Sequence, residues 1–292
     1  MAASLPPPGA DDVLYLVDIS GYIFRSHHAI STPLTSPSGE PTSTTLGTVT
    51  MLQRMLNDQR PRLVAVAMDS SSQTFRRDID PNYKAHRPPP PEDLKQQIIR
   101  TREILEAYRL PILQREGFEA DDLIASAVRQ ARALKLRVVI VSADKDLMQL
   151  VGDDVFMWDT MRNNVFGPEE VEAKWRVSPG KLRDVLALMG DSSDNVPGVP
   201  HVGEKSAADL INTFGDIDTM YARIDEVKQK RIRESLIANR KDAELSRLLV
   251  TLKDDLEVGL VADDFTPKEP DREKLRALFT ELNFGRLLAS VS

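Results

Sequence analysis

The sequence predicts an α/β protein with a mostly parallel central sheet. Three short apolar runs rich in β-branched residues, at 13–17 (VLYLV), 63–68 (LVAVAM) and 137–143 (RVVIVSA), are too short to be buried helices. Helical patterns lie between these runs, including TTLGTVTMLQRMLN and DDLIASAVRQARAL. The alternation of strands and helices is typical of βαβ units, in which neighbouring strands run parallel.

The remaining segments follow this core in a simple order. The first dozen residues, MAASLPPPGADD, are small, polar and rich in proline, which predicts a disordered tail over 1–11 and a core over 12–167. After residue 167 helical patterns dominate, as in LRDVLALM, SAADLINTF and DAELSRLLVTL. We therefore expect a helical lobe over 168–292.

One helix of the predicted core carries an unusual charge pattern. In EDLKQQIIRTREILEAY, at 92–108, the apolar residues share one face. Lys95, Arg102 and the following Arg109 recur every seven residues on another. The preceding RPPPP must be extended, which sets the helix apart from what comes before it. A surface helix with a solvated charged face is the alternative interpretation.

Composition limits the kinds of site that the chain can form. Of the 292 residues 41% are hydrophobic, which is enough for a sizeable core. With no cysteine and four histidines, a metal must be held mainly by oxygen, which favours hard cations such as Mg²⁺ or Mn²⁺. The sequence shows no signal peptide and no apolar run near the roughly 18 residues of a membrane span. We therefore expect a cytoplasmic protein.

The charge is uneven along the chain. A net charge of -7 argues weakly against a nucleic-acid partner. Residues 76–115, however, carry nine Lys and Arg against six acids, and residues 117–160 carry eight acids against five Lys and Arg. A cationic segment thus leads into an anionic one, so the chain can still bind a phosphate chain locally.

Acidic residues follow each predicted strand. Ligands bind beyond the carboxyl ends of parallel strands, and Asp18, Asp69 and the pair Asp144 and Asp146 stand at those ends. Further acids are Glu119, Asp121 and Asp122 at a helix start, and Asp191 and Asp194 later in the chain. Singly, each is explained as a helix cap or a turn residue. Together, nine carboxylates at one edge would repel unless divalent cations neutralised them.

The stretch LMGDSSDNVPGVPHVGEKSA, at 188–207, combines two kinds of ligand. The spacing of Asp191 and Asp194 aims both carboxylates one way, toward a shared cation. The run GVPHVGEK, with Gly198, Gly203 and Lys205, is how a loop and a helix N-terminus present N–H groups to an anion. One half of the stretch therefore favours a metal ion and the other half a phosphate.

Seven motifs occur here in the order of a known family: LVDISGYIFRSHHA, GEPTSTTLGTVTML, AMDSSSQTFR, NYKAHRPPPPEDL, FEADDLIA, SADKDLMQLV and LMGDSSDNVPGVPHVGEKSA. The chain resembles the 5'-nuclease family from about residue 12 to 286, most closely the bacterial 5'-3' exonuclease domain attached to DNA polymerase I and more distantly the flap endonucleases. The resemblance implies a PIN-like core with helices on both faces of the sheet. It also implies a helical arch at about 76–110 and a helix-three-turn-helix motif at about 185–214.

The resemblance also implies roles for individual residues. The nine acids match the family's metal-binding positions, with two Mg²⁺ ions expected and Mn²⁺ as a substitute. Lys84 and Arg87 match basic residues that contact the scissile phosphate, and Arg76 is a second-rank phosphate contact. The expected DNA contacts are Phe24, Tyr83, Gly198, His201, Gly203, Lys205 and Ser206. For Phe24 a helix-core aromatic is the alternative, and K⁺ is expected at the hairpin.

Three positions depart from the family's pattern. Glycine is expected where this chain has Ile19, Ala143 and His201. His tolerates a positive φ better than most residues, so we expect the hairpin to survive the change at His201. Ile19 and Ala143 are expected to crowd the metal edge, which affects rate and substrate preference.

The predicted function is a stand-alone, structure-specific 5'-3' exonuclease and flap endonuclease that acts by a two-metal mechanism in DNA replication or repair. Its expected partners are DNA with a 5' flap, nick or 5' end, an RNA–DNA hybrid and a DNA polymerase acting in trans. We expect a monomer, not membrane-bound, associated with the bacterial nucleoid. One alternative is an inactive flap-binding protein of the same fold. Another is a Mg²⁺-dependent phosphatase or receiver-like protein, which leaves the arch and the hairpin unexplained.

Overall fold

The structure, a computed structural model, describes residues 3–29, 33–70, 73–258 and 262–291, without the side chains of residues 262 and 263. Its strands and α-helices are, in chain order, β1 (Val13–Asp18), α1 (Ile19–Ala29), α2 (Ser43–Gln59), β2 (Leu63–Ala67), α3 (Phe75–Ile79), α4 (Glu92–Ala107), β3 (Ile112–Leu113), α5 (Ala120–Ala133), β4 (Arg137–Val141), β5 (Val155–Asp159), β6 (Asn164–Phe166), α6 (Pro168–Trp175), α7 (Pro179–Met189), α8 (Glu204–Phe214), α9 (Ile217–Ala222), α10 (Lys230–Ala238), α11 (Arg240–Val250), α12 (Arg272–Glu281) and α13 (Gly285–Ser290). Short 3-10 turns lie at Lys145–Leu150, Ile224–Glu226 and Ala262–Phe265.

The strands form one sheet in the order β3-β2-β1-β4-β5-β6. All neighbouring strands run parallel except β6, which pairs antiparallel with β5. Every residue of the central strand β1 is buried, because helices cover both faces of the sheet. The three strands predicted from apolar runs are therefore confirmed. The short edge strands β3 and β6 were missed, and so was β5 (VFMWD), although its apolar run is visible in the sequence.

Two hydrophobic cores lie on opposite faces of the sheet. One joins inward-facing strand residues to α5 and to the helices between α6 and α11. The other joins the opposite strand face to α1, α2, α4, α12 and α13. No helix in the described part of the chain is long and apolar enough to span a membrane.

The last helices lie elsewhere than the sequence predicts. The predicted helical lobe runs to residue 292, but Leu275, Phe279 and Leu287 of α12 and α13 are buried in the core beside α4. The backbone N–H of Asp271 donates to the carbonyl of Ala107 at 2.8 Å, which fixes this return. An amphipathic pattern reveals that a helix buries one face, but not which surface covers that face. The lobe therefore ends before α12.

The N-terminal residues also differ from the predicted disordered tail. The N–H of Ala3 donates to Glu170 Oε1 at 2.7 Å, and the N–H of Gly9 donates to the carbonyl of Gln59 at 2.8 Å. Leu5 packs against the core that contains α2. Consecutive prolines restrict the unfolded chain, so ordering this segment loses less entropy than its composition suggests. Residues 1 and 2 lie outside the described residues.

The segment predicted as an arch divides into two parts. Helix α4 packs against the core through Leu94, Ile104 and Leu105, so it is a surface helix and is not set apart from the core. Gln97 of α4 accepts hydrogen bonds at 2.7 and 3.3 Å from the first N–H groups of α2, which has no side-chain cap of its own. The turn between α3 and α4 lies at the carboxyl edge of the sheet, where Tyr83, Lys84 and Arg87 line a cavity and the N–H of Lys84 donates to the carbonyl of Asp194 at 2.9 Å.

Candidate active site

A cavity of about 580 Å³ opens at the carboxyl ends of β1, β2 and β4. Eight of the nine predicted acids line this cavity, namely Asp18, Asp69, Glu119, Asp121, Asp144, Asp146, Asp191 and Asp194. Parallel strands bring the first acids to one edge, and the start of α5 and the loop after α7 add the others. The predicted convergence of carboxylates is therefore what the structure shows for these eight residues.

Asp18 is fixed by the first turn of α1. Its carboxylate accepts hydrogen bonds from the N–H of Gly21 at 2.7 Å and from Ser142 Oγ at 2.8 Å. A Cβ on Gly21 would lie 2.3 Å from Asp18 Oδ2, so glycine is required there. Ile19, where the family resemblance led us to expect glycine, is fully buried in the core beside α2. The expected crowding by Ile19 is wrong, because its side chain packs away from the cavity.

Ala143 lies in the cavity wall, unlike Ile19. Its φ is not among the positive values found in the described residues, so its backbone does not require glycine. The adjacent Ser142 still reaches Asp18, and the N–H of Asp144 donates to Ser142 Oγ at 3.0 Å. The methyl group of Ala143 therefore occupies part of the cavity wall, while the hydrogen bonds of Ser142 with Asp18 and Asp144 are kept.

Five of the acids form what we call the sheet-edge group: Asp18, Asp69, Asp121, Asp144 and Asp146. Burial, with added repulsion from Asp69 and Asp144, raises the pKa of Asp18 to about 7 despite its two hydrogen bonds. Burial and repulsion from Asp144 raise the pKa of Asp146 to about 7. Burial, followed by repulsion from Asp144 and Asp18, holds the pKa of Asp121 well above its usual value. Nearby Lys145 offsets only part of this rise at Asp146, and among the described residues none of these three carboxylates forms an ion pair with Lys or Arg.

The other three acids, Glu119, Asp191 and Asp194, form what we call the cation-paired group. Lys84 Nζ donates to Glu119 Oε1 at 2.7 Å and lies 3.6 Å from Asp194 Oδ2. The guanidinium of Arg87 contacts Asp194, and the ammonium of Lys145 contacts Asp191. Each member of this group therefore pairs with at least one Lys or Arg.

The pKa shifts in this second group reflect those cations. Burial alone would raise the pKa of Asp191, but hydrogen bonds from Lys145 and Ser193 outweigh it and lower the pKa below the usual value. Burial alone would lower the pKa of Lys84, but nearby Glu119, with Tyr83 and Asp194, raises it. Asp191 and Lys84 are therefore both charged at neutral pH.

The donors suit a hard divalent cation by their chemistry. All eight acidic side chains offer carboxylate oxygens, and the sheet-edge group is short of positive charge. Within the described ranges, no three His, Asp or Glu side chains surround one point closely enough to form a ready-made ion site. The fit is therefore one of charge and ligand type, with side chains that must move to coordinate an ion.

Arg76, which lines the cavity, forms a buried pair with Asp122. Arg76, 1% exposed, donates to both oxygens of Asp122 at 2.7 and 2.8 Å. Its other hydrogen bonds reach Glu119 Oε2 and the carbonyls of Leu249 and Thr251. These bonds occupy the five N–H groups of the guanidinium, so the predicted phosphate contact at Arg76 is not supported.

Asp122 is the one predicted metal ligand that does not line the cavity. Besides Arg76, it accepts hydrogen bonds from the N–H groups of Glu119 at 3.1 Å and Lys253 at 2.9 Å. The bond to Glu119 is half of a capping box that starts α5. Adjacent helical residues point about 100° apart, so Asp121 faces the cavity while Asp122 faces the interior. Its role here is structural.

The two predicted aromatic contacts have different surroundings. Tyr83 is only 4% exposed, and its hydroxyl donates to Glu119 Oε2 at 3.1 Å and lies 3.4 Å from Asp194 Oδ2. Its ring therefore has no face open to a base. Phe24 is 42% exposed and lies at the margin of the cavity on α1, so the alternative of a core aromatic does not hold.

The predicted hairpin begins with two glycines in close backbone contact. Gly190 has φ +70° and Gly198 has φ +62°, and a Cβ on either would lie less than 3 Å from the backbone of the other. The N–H of Gly198 donates to Ser246 Oγ of α11 at 2.8 Å, inside the protein. The predicted phosphate contact at Gly198 is thus replaced by a packing role.

The far side of the hairpin is exposed. His201 has φ +69°, so the expected glycine-like backbone is present with a histidine in place. Arg231 Nη2 lies 3.2 Å from both His201 ring nitrogens, and Ser235 Oγ donates to the carbonyl of Pro200 at 2.5 Å. Gly203 precedes α8, whose first turn contains the exposed Lys205 and the half-buried Ser206.

Among the cations missed from the sequence, two contact predicted site residues. Lys145 stands between two predicted ligands in SADKD, and a basic residue between two acids was the available signal. Arg231 belongs to the basic run KQKR at 228–231, whose nearness to the hairpin is a tertiary contact. The first could have been found from the sequence, and the second could not.

Two family models match the chain. The model for the 5'-3' exonuclease N-terminal resolvase-like domain matches residues 13–176, and the model for the 5'-3' exonuclease C-terminal SAM fold matches residues 177–273. DNA polymerase I of Rhizobium leguminosarum is 42% identical over 288 residues, which are 96% of this chain and 28% of that protein. The 5'-3' exonuclease of Aquifex aeolicus is 37% identical over 278 residues, 95% of this chain and 94% of that protein. The chain thus spans less than a third of the DNA polymerase I relative.

Solved structures share the architecture. The T5 5'-exonuclease with bound zinc superposes with a TM-score of 0.68 at 20% identity, covering 96% of this chain and 98% of that one. The catalytic core of Rad2 in complex with DNA substrate superposes with a TM-score of 0.62 at 15% identity, covering 96% and 92%. At these identities the likeness establishes a common fold.

Proposed function

This chain belongs to the 5'-3' exonuclease family, and from that premise we propose that it is a metal-dependent 5'-3' exonuclease and flap endonuclease that hydrolyses DNA phosphodiester bonds near junctions of single and double strands. The matches over residues 13–273 confirm the predicted family, a nuclease family, and the α/β class is confirmed with them. The family assignment leaves no support for the phosphatase or receiver-like alternative.

One observation carries the proposal: eight carboxylates line one cavity, and Lys84, Arg87 and Lys145 stand beside them. A phosphodiester in this cavity would need positive groups close to its oxygens, because the negative charge on those oxygens increases during hydrolysis. The protein cations supply part of that charge. The sheet-edge group supplies oxygen ligands through which divalent ions would add the rest.

We propose two Mg²⁺ ions, with Mn²⁺ as a substitute, held by the eight cavity carboxylates. Zinc in the T5 5'-exonuclease structure supports a divalent-cation site in this fold. When bound, the ions would stabilise negative charge on the phosphate and the leaving oxygen. Asp122 is left out of this ligand set because Arg76 and backbone N–H groups occupy its oxygens.

Lys84 and Arg87 would bind the scissile phosphate. Both contact Asp194, and the side chain of Arg87 is 48% exposed, so it can exchange this carboxylate for phosphate oxygens. A guanidinium binds two phosphate oxygens at once, which orients the group as well as neutralising it. Tyr83 and Arg76 would act through Glu119, which both of them contact, as positioning residues.

We propose that the duplex lies on the exposed side of the hairpin. The amides around Gly203 and Ser206, with Lys205, would bind backbone phosphates at the start of α8. Arg231 adds a cation beside His201. Phe24, exposed at the cavity margin, is the residue that would stack on a base near the cut. Rad2 with DNA substrate supports a DNA-binding role for this fold.

Several finer predictions extend this proposal. We keep as predictions a K⁺ ion at the hairpin and an arch that guides the 5' strand between α3 and α4. Action on 5' flaps, nicks, 5' ends or RNA–DNA hybrids, a DNA polymerase working in trans, a monomeric state and association with the nucleoid also remain predictions. The domain division at 167 and 168 lies close to the boundary between the two matched family models at 176 and 177.

The inactive flap-binding alternative loses much of its basis. It required the residues at the expected glycine positions to disable the site, yet Ile19 packs in the core and His201 keeps a positive φ. Eight carboxylates still face the cavity. We therefore favour an active nuclease.

Cleavage of three 5'-labelled substrates tests the proposal: a flap duplex, a blunt duplex and a single strand, each in Mg²⁺ or EDTA. We expect metal-dependent product near the flap junction, less from the blunt duplex and least from the single strand. Tight flap binding in Mg²⁺ without product after long incubation would support the inactive alternative instead.

A further inference from the structure

Lys145 lines the cavity, and the family resemblance assigned it no role. It lies in the 3-10 turn after β4, between two acids of the sheet-edge group, yet its ammonium contacts Asp191 on the loop after α7. The side chains are 32% and 14% exposed, so the pair is partly shielded from water. This contact joins the two groups of carboxylates across the cavity.

Both oxygens of Asp191 already have partners. Oδ1 accepts hydrogen bonds from the N–H and the hydroxyl of Ser193 at 2.7 and 2.5 Å, and Oδ2 pairs with Lys145. A divalent ion that used Oδ2 would meet the lysine ammonium at the same oxygen. Two cations cannot share that position without strong repulsion, so one must leave.

The sheet-edge group presents no such obstacle. Among the described residues, none of its five carboxylates forms an ion pair with Lys or Arg, whereas the three acids of the cation-paired group all do. A divalent ion could therefore bind the sheet-edge group without displacing a protein cation. Binding at Asp191 must include the work of breaking its pair with Lys145.

We propose that Lys145 is a built-in counter-cation that competes with a divalent ion for Asp191, so that this end of the cavity binds metal weakly until a substrate phosphate draws the lysine away. The inference rests on the proposed function in one respect, because it takes Asp191 to be a ligand of a divalent ion. Lys145 lines the same cavity, so a phosphate there offers its ammonium a replacement partner. Metal loading and substrate binding would then favour each other.

Mn²⁺ binding to the DNA-free protein, measured by calorimetry and by the electron paramagnetic resonance signal of free Mn²⁺, tests this competition. We expect Lys145→Gln to tighten the weaker Mn²⁺ site by about fivefold, the size set by a partly exposed ion pair. Lys145→Arg keeps the charge and should bind like the wild type. Lys95→Gln, which removes a lysine paired with Glu92 at 3.1 Å on the surface of α4, is the matched control.

Equal or weaker Mn²⁺ binding by Lys145→Gln would overturn the proposal, provided that its thermal unfolding midpoint shows a folded protein. The same tightening in Lys145→Arg would also overturn it, because the effect would then come from packing and not from charge. A wild-type chain that binds no Mn²⁺ would remove both this inference and the proposed function. A chain that binds Mn²⁺ as expected but leaves flap DNA uncut would remove only the proposed function.

Discussion

The two groups of carboxylates face one cavity, but different charges balance them. In the sheet-edge group the acids face each other, and burial and mutual repulsion raise the pKa of Asp18 and Asp146 to about 7. In the cation-paired group Lys84, Arg87 and Lys145 do the balancing, and the pKa of Asp191 is lowered. Carboxylates in one half of the cavity are therefore open to an added cation. Those in the other half are already paired with lysine or arginine side chains.

The largest expected effect comes from an acid of the sheet-edge group. Asp121→Asn keeps the shape of the side chain but removes a charge that divalent ions need, so cleavage of a flap duplex in Mg²⁺ should fall by about 10³-fold or more. Binding of the same DNA in EDTA should be unchanged or tighter, because a negative charge is lost near the phosphate. Single-turnover cleavage and fluorescence anisotropy measure the two quantities. Near-normal cleavage would contradict the role given to this group.

Substitution of the neighbouring Asp122 should mainly reduce the stability of the fold, whereas substitution of Asp121 should mainly reduce cleavage. Asp122→Asn leaves Arg76 buried without its carboxylate, which should lower the free energy of unfolding by about 3 kcal/mol. Urea denaturation of Asp122→Asn and Asp121→Asn, side by side, measures the difference. The comparison would break if Asp121→Asn were the less stable variant.

The fold and most of the site could be predicted because strand ends are positions that topology fixes. Parallel strands bring Asp18, Asp69 and Asp144 to one edge whatever the details of packing. Adjacent acids are harder to separate: the letters of EADD do not say that Asp121 faces a cavity and Asp122 an arginine. Arg76 pairs with Asp122, which lies 46 residues later in the chain. Helices α12 and α13 pack beside α4, and no local sequence pattern indicates that contact.

The sequence is similarly limited in predicting which positions require glycine. The sequence comparison drew attention to residue 19, but the close approach to Asp18 occurs at Gly21. Residue 201 was the opposite case, because the predicted positive φ is present with a different side chain. Which residue must lack a Cβ depends on contacts between atoms, and the order of residues only narrows the choice.

Stability against pH should separate the two groups in solution. An acid with a raised pKa in the folded state binds more protons than in the unfolded state between pH 3.8 and about 7, so stability falls as pH rises through that window. In EDTA we expect a loss of at least about 2 kcal/mol across it. Asp146→Asn should flatten this slope. The pKa of Asp191 is lowered, so its contribution to stability is fully present above its unfolded pKa of 3.8 and is lost as pH falls below it. Asp191→Asn should therefore lower the free energy of unfolding across the window without changing the slope.

Denaturation at a series of pH values, with and without Mg²⁺, checks this prediction. Mg²⁺ should restore stability at pH 8, because it neutralises the sheet-edge group. A stability that rose from pH 4 to 7 in EDTA, or a slope unaffected by Asp146→Asn, would show that these carboxylates are not short of positive charge.

The smallest effect should come from the hairpin, which lies outside both groups. Arg231→Gln removes one of the proposed phosphate contacts, so flap-DNA affinity should fall by about three- to tenfold and the salt dependence of binding should lose about one unit of slope. The rate of cleavage of bound DNA should not change. Arg54→Gln, on the exposed surface of α2, is the control. Loss of the cleavage rate instead of affinity would place Arg231 in a different role.

The most direct test of the division between the two groups is Mn²⁺ calorimetry on the DNA-free wild type, Asp121→Asn and Asp194→Asn. We predict two binding events of unequal affinity in the wild type, with the tighter one lost in Asp121→Asn and the weaker one lost in Asp194→Asn. Loss of the tighter event in Asp194→Asn, or two events of equal affinity in the wild type, would contradict the account.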